Sequence, residues 1–132
     1  LADRRALCRY LWHTWSPTWQ FSDATYDRTA SSFDNPDFVD VVIHSYRHRH
    51  RNAPGDPRFD EVEKRLGGRP PITVPTVILH GGDDAVGLRE PEAQELFQFR
   101  PGTPRHVVPG VGHFMPRERP EALVDALRAV LR

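Results

Sequence analysis

Two short loops carry the residue types and spacing that could do chemistry. Gly81-Gly82-Asp83-Asp84 presents paired carboxylates, and Gly110-Val111-Gly112-His113-Phe114 presents an imidazole. Histidine changes charge near neutral pH, so it is the natural general base. A carboxylate beside it fixes the ring tautomer and stabilises the imidazolium, which completes two members of a proton-relay constellation. Glycines ahead of each chemical residue let the backbone turn sharply enough to present it.

The elements around these loops account for how they could meet. Thr76-Val77-Ile78-Leu79 is a short β-branched run of the kind found in buried parallel strands, with Leu79 expected to end it. Arg105-His106-Val107-Val108 reads as a second strand, and a helix near Pro91 to Phe97 is expected between them. Asp84 and His113 stand 29 residues apart, which is room for one crossover helix. A right-handed crossover between neighbouring parallel strands would place both loops on one rim of the sheet, where functional groups of open α/β sheets collect. An amphipathic helix from about Pro116 to Leu131 closes the chain, with Leu123, Leu127, Val130 and Leu131 on one face.

Residues 1–69 read as helical throughout, and residues 70–132 as strand–helix–strand–helix. Residues 3–12 have helix-forming composition, and an aromatic stretch follows with Trp12, Trp15, Trp19 and Phe21. Ser22 is expected to cap a second helix running to about Phe33, and Asn35-Pro36 to open a third. In that third helix Phe38, Val42 and Tyr46 form one row, and Val39 and Ile43 the row beside it. A loop over Asn52 to Pro57 leads to a short helix with Phe59, Val62 and Leu66, stopped by Gly67-Gly68. Two strands are too few for a stable parallel sheet, so an exposed strand edge is expected where further strands should dock.

The bulk properties exclude several classes. The chain has 132 residues, with 18 basic and 18 acidic side chains that balance to zero net charge. Neither nucleic acid nor an anionic membrane is expected as a partner, despite the Arg47-His48-Arg49-His50-Arg51 run. No segment approaches the roughly 18 apolar residues of a membrane span. Cys8 is the single cysteine, so the fold does not rest on an internal disulfide, and a cytoplasmic setting is the simplest one. His44 and His48 lie one helical turn apart, but zinc needs three or four ligands and His50 lies off their face, so no metal site is expected. The chain begins at Leu1 and its only Met is Met115, so the C-terminal part of a longer protein is expected, with artificial trimming of the N-terminus as the alternative.

Taken together, Thr76–Asp84, Val107–Phe114 and Arg119-Pro120-Glu121 resemble the C-terminal third of an α/β-hydrolase. The stretch Ser32 to Asp40, continuing to Tyr46-Arg47, resembles the caps of epoxide-hydrolase-like and dehalogenase-like members. The resemblance implies an α/β fold class: the last two parallel strands of the sheet with their helices (residues 70–132), preceded by a helical cap (residues 1–69). In that family the triad runs nucleophile, acid, histidine. It therefore implies Asp84 as acid, with Asp83 as the neighbouring alternative, and His113 as base. It also implies hydrolysis of an ester, epoxide or carbon–halogen bond in a small-molecule substrate, without a cofactor. Aromatic cap residues line the pocket in such enzymes, which makes Tyr46, then Tyr26, and also Trp15, candidates for substrate contact.

The pattern departs from the family in one respect. No Gly-x-Ser-x-Gly occurs, and Ser16, Ser31 and Ser32 lack a glycine elbow. His80-Gly81-Gly82 could be the family's early oxyanion loop, but a nucleophile elbow should then follow, and the later glycine loop carries His113 instead. The nucleophile, serine or aspartate, is expected in a missing N-terminal part of the hydrolase domain or in a second chain, and the cap resemblance leans towards aspartate. A non-catalytic or degenerate fragment that keeps only the fold pattern is the alternative reading, and a His/Arg-rich binding module a third.

Overall fold

The computed structural model describes residues 3–87 and 97–131, which form two compact units. One comprises Leu1–Gln20 with Pro71–Arg132, and the other Phe21–Pro70. The first 20 residues thus belong to the same unit as the strands.

In the first unit, helix α1 (Arg4–Trp15) starts where the Asp3 carboxylate accepts a hydrogen bond from the Ala6 N–H. It runs three residues beyond the helical segment expected from composition, so Trp15 is helical as well as Trp12. It stops at Ser16 because the residue before a proline is pushed out of the α region. Strands β1 (Ile78–Gly81) and β2 (Arg105–Val108) pair in parallel, with Ile78 opposite Arg105 and Gly81 opposite Val108. The second strand has the bounds read from the sequence. The first is shifted two residues towards the acid loop: it does not end at Leu79, because its four-residue partner sets the register and leaves Thr76 and Val77 with no opposite residue. Among the described residues each strand pairs only with the other, so the outer edge of each lacks a strand neighbour. The helix expected near Pro91 to Phe97 falls largely outside the described residues.

The C-terminal helix is two helices, α5 (Met115–Glu118) and α6 (Pro120–Val130). Pro120 has no N–H to continue the ladder and forces Arg119 to φ −144°. Buried Trp12, Val111 and Met115 form the apolar interior of this unit. The rings of Trp12, Trp15 and Trp19 gather around Phe114 at centroid separations of 5.3, 6.1 and 5.9 Å.

The second unit holds α2 (Asp23–Ala30), a 3-10 turn (Ser31–Asp34), α3 (Phe38–Arg49), a second 3-10 turn (Pro57–Phe59) and α4 (Asp60–Gly67). Ser22 caps α2 as expected, its hydroxyl accepting from the Thr25 N–H at 3.2 Å. The start of α3 differs from the sequence reading. Asn35 makes a turn in which its side chain accepts from the Asp37 N–H, so the helix begins at Phe38, behind Pro36 rather than at it. Tyr26, Ala30 and Phe33 are the buried residues here, with Phe21, Tyr26, Phe33 and Phe38 in successive ring contact.

Candidate active site

The strand ends deliver both loops to one place. Asp84 follows β1 across a tight turn in which the Asp83 N–H donates to the Val111 carbonyl, tying the acid loop to the histidine loop. Nδ1 of His113 lies 3.1 Å from each oxygen of the Asp84 carboxylate. Asp84, rather than Asp83, is the carboxylate brought to the ring. The Asp84 side chain is 11% exposed and that of His113 is 36% exposed, so the carboxylate is sequestered while the imidazole reaches the surface.

The carboxylate is held as an anion. Burial by itself would raise the Asp84 carboxyl, but the N–H groups of Gly87 and Val86 donate to Oδ1 at 2.8 Å each, and His113 adds a hydrogen bond and its charge. The donors prevail, and the carboxyl sits below its ordinary value. Close approach is what requires glycine at position 87, since a Cβ there would collide with Asp84 Oδ2.

The histidine loop is fastened through three consecutive backbone N–H groups. That of Gly112 donates to Glu118 Oε2 at 2.8 Å, and that of Phe114 to Glu118 Oε1 at 3.0 Å and Ser16 Oγ at 3.2 Å. Between them, the His113 N–H donates to the Trp15 carbonyl at 3.2 Å, an oxygen that also accepts from Ala85 N–H at 3.3 Å. The last carbonyls of a helix have no partner within it, and here one of them joins the Asp84 loop to the His113 loop. The glycines of the histidine loop act in different ways. Gly110 takes φ +71°, whereas Gly112 makes room: a Cβ there would lie 2.5 Å from Ser16 Cα and 2.6 Å from its hydroxyl.

The other residues singled out from the sequence are distributed over both units. Trp15 stands edge-on to the His113 ring at a centroid distance of 5.3 Å. Tyr26 and Tyr46 belong to the second unit: Tyr26 is 3% exposed between Phe21 and Phe33, and Tyr46 is half exposed on α3. Glu118, Ser16, Val86 and Gly87 support the pair but do not stand out in the sequence. Glu118 alone left a local trace, as a carboxylate five positions after the histidine.

Beside the Asp84–His113 pair runs a mostly apolar groove of about 480 Å³, lined by Leu79, His80 and Met115 and by Leu123, Leu127 and Val130 of α6. His80 contributes a buried Nε2 with no hydrogen-bond partner among the described residues. Those residues contain no cluster of three metal-ligating side chains, and none of their helices is long and apolar enough to cross a membrane. His44 and His48 do stack, at 6.2 Å between ring centres.

No protein-family model matches the chain, and no curated protein does. Among solved structures, a candidate epoxide hydrolase from Klebsiella pneumoniae is similar, with a TM-score of 0.84 and 34% identity. The match covers 98% of this chain and 43% of that one, so the chain spans less than half the length of this relative. The helical region followed by two parallel strands with flanking helices matches the C-terminal part of an α/β-hydrolase fold, with Asp84 and His113 paired and no nucleophile elbow in the sequence.

Proposed function

We propose that the chain supplies the acid and the general base of a hydrolase whose nucleophile lies outside this sequence. The observation that carries this reading is the Asp84–His113 pair at the rim of two parallel strands, its acid buried and its base within reach of a substrate. Asp84 holds Nδ1, which leaves Nε2 as the nitrogen for proton transfer. The substrate is a small molecule with an ester, epoxide or carbon–halogen bond, and the chemistry calls for no cofactor. The resemblance of the Ser32–Asp40 and Tyr46-Arg47 stretch to the caps of epoxide-hydrolase-like members leans towards an aspartate nucleophile. Its carboxylate would bond to substrate carbon as the carbon–oxygen bond of an epoxide, or a carbon–halogen bond, breaks. His113 Nε2 then takes a proton from water as the water oxygen attacks the carbonyl of the resulting ester; the ester C–O bond breaks, the departing alcohol oxygen takes that proton from His113, and the aspartate carboxylate is restored. With a serine nucleophile, His113 instead takes the serine proton as the serine oxygen attacks an ester carbonyl.

We assign the cap role to residues 1–69, with Tyr46 ahead of Tyr26 as the substrate contact. Trp15 would form a wall beside the base. The unpaired strand edges and the apolar groove fit docking of the remaining sheet, in the same protein or from a second chain. A cytoplasmic setting accords with the lone Cys8. The chain by itself should not turn over substrate.

The test uses the full-length protein that contains this chain. It should hydrolyse at least one of a panel of epoxides, haloalkanes and esters, and His113→Gln should abolish turnover. With an aspartate nucleophile, His113→Gln accumulates a covalent alkyl ester visible by mass spectrometry, because alkylation does not need the base. With a serine nucleophile it accumulates nothing. Wild-type turnover retained by His113→Gln would overturn the proposal.

A further inference from the structure

We infer that Glu118, together with Ser16, is a positioning residue for His113, setting where the base stands independently of the acid that orients its ring. This rests on the proposed role of the Asp84–His113 pair. Glu118 opens no contact to that pair itself. Its two oxygens instead take the N–H groups immediately before and immediately after the histidine, at Gly112 and Phe114. Ser16 donates its hydroxyl to Glu118 Oε1 at 2.6 Å and accepts the Phe114 N–H, so each of the three groups holds the other two. Ser16 is wholly buried.

Geometry makes this more than loop anchoring. A carboxylate bridging residues on both sides of His113 defines the path of the backbone through it, while the Trp15 carbonyl fixes the N–H of His113 itself. With Cα held, only the side-chain torsions of His113 are left to set the distance from Nδ1 to Asp84 and the placement of Nε2. A carboxylate acceptor makes these bonds charge-assisted, a class about twice as strong as neutral ones. A carboxylate suits the task because it only accepts, and all three groups facing it donate. Glutamine would turn an N–H₂ towards one of those donors.

The experiment follows the Nδ1 proton shared by His113 and Asp84, a downfield imidazole resonance, in the full-length protein alongside activity. The wild type should show this resonance, and Asp84→Asn should lose it. Glu118→Gln should broaden or remove it and lower kcat about 10- to 100-fold, the scale of small misplacements of a catalytic group, with KM within about twofold. Ser16→Ala keeps both Glu118–backbone bonds and should give a smaller loss in the same direction, which keeps the test open if Glu118→Gln folds poorly. A variant that unfolds more easily yet keeps a sharp resonance and a wild-type kcat would show Glu118 to be structural only and overturn the inference. Absence of the resonance from the wild type would overturn the pairing of Asp84 with His113, and the positioning role with it.

Discussion

His113 Nδ1 is equidistant from the two carboxylate oxygens of Asp84, 3.1 Å from each. The ring N–H thus faces the centre of the carboxylate, while Oδ1 is additionally held by the N–H groups of Val86 and Gly87. An anion fixed in this way orients the imidazole before any substrate arrives. Asp84→Asn keeps the size of the side chain but can present an N–H₂ to Nδ1 and favour the wrong tautomer. In the full-length protein it should lower kcat on the order of 10⁴-fold, with the circular dichroism spectrum unchanged. A loss of less than tenfold would remove Asp84 from the role of acid.

Both loops and the second strand were legible in the sequence because their signals are local. Arg105–Val108 is β-branched and bounded by turn residues, and glycines mark the loops. What supports the loops was not legible. Trp15 acts through a carbonyl, which every residue has, and Glu118 acts because α5 turns it back on the loop. Ser16 reaches Phe114 across 98 positions. The displaced starts of β1 and α3 have similar causes, since β1 takes its register from its partner and α3 waits for the Asn35 turn to finish.

Acid should release the carboxylate in a direction that the structure fixes. Burial opposes the charge on Asp84, but the Gly87 and Val86 donors and His113 outweigh it, so the native carboxyl titrates below its ordinary value of about 3.9. The folded state therefore binds fewer protons than the unfolded state in that range. The stabilisation is complete above the unfolded value and is lost as pH falls through the lower native one. Urea midpoints measured from pH 6 downward should fall more steeply below about pH 4 in the wild type than in Asp84→Asn. Parallel curves would contradict this.

Packing between Gly112 and Ser16 leaves no space for a methyl group. Gly112 does not take a positive φ, so alanine there suffers collision with Ser16 rather than backbone strain. Gly112→Ala should destabilise the protein by about 1–3 kcal/mol, the usual range for overpacking. Ser16→Gly combined with it should recover part of that loss by removing the Cβ and hydroxyl that the methyl would meet. A double variant no more stable than the sum of the single changes would show that the two positions do not compete for space.

Gly87 offers a way to disturb the acid without touching its chemistry. It donates its N–H to Asp84 Oδ1 at 2.8 Å, and a Cβ on it would run into Oδ2 of the same carboxylate and come within 3.1 Å of the His80 ring. Its φ lies outside the left-handed region, so alanine costs no backbone strain and the collision is the main effect. Relief requires the carboxylate to rotate or retreat, and either motion breaks its symmetric approach to His113. Gly87→Ala should therefore lower kcat in the full-length protein about 10- to 100-fold, with a much smaller change in KM. The Nδ1 proton resonance should shift or broaden in parallel, since the acid rather than the base has moved. An unchanged kcat with an unchanged resonance would mean that the carboxylate can give way without releasing the ring, and that the 3.1 Å approach to both oxygens is not what orients the base.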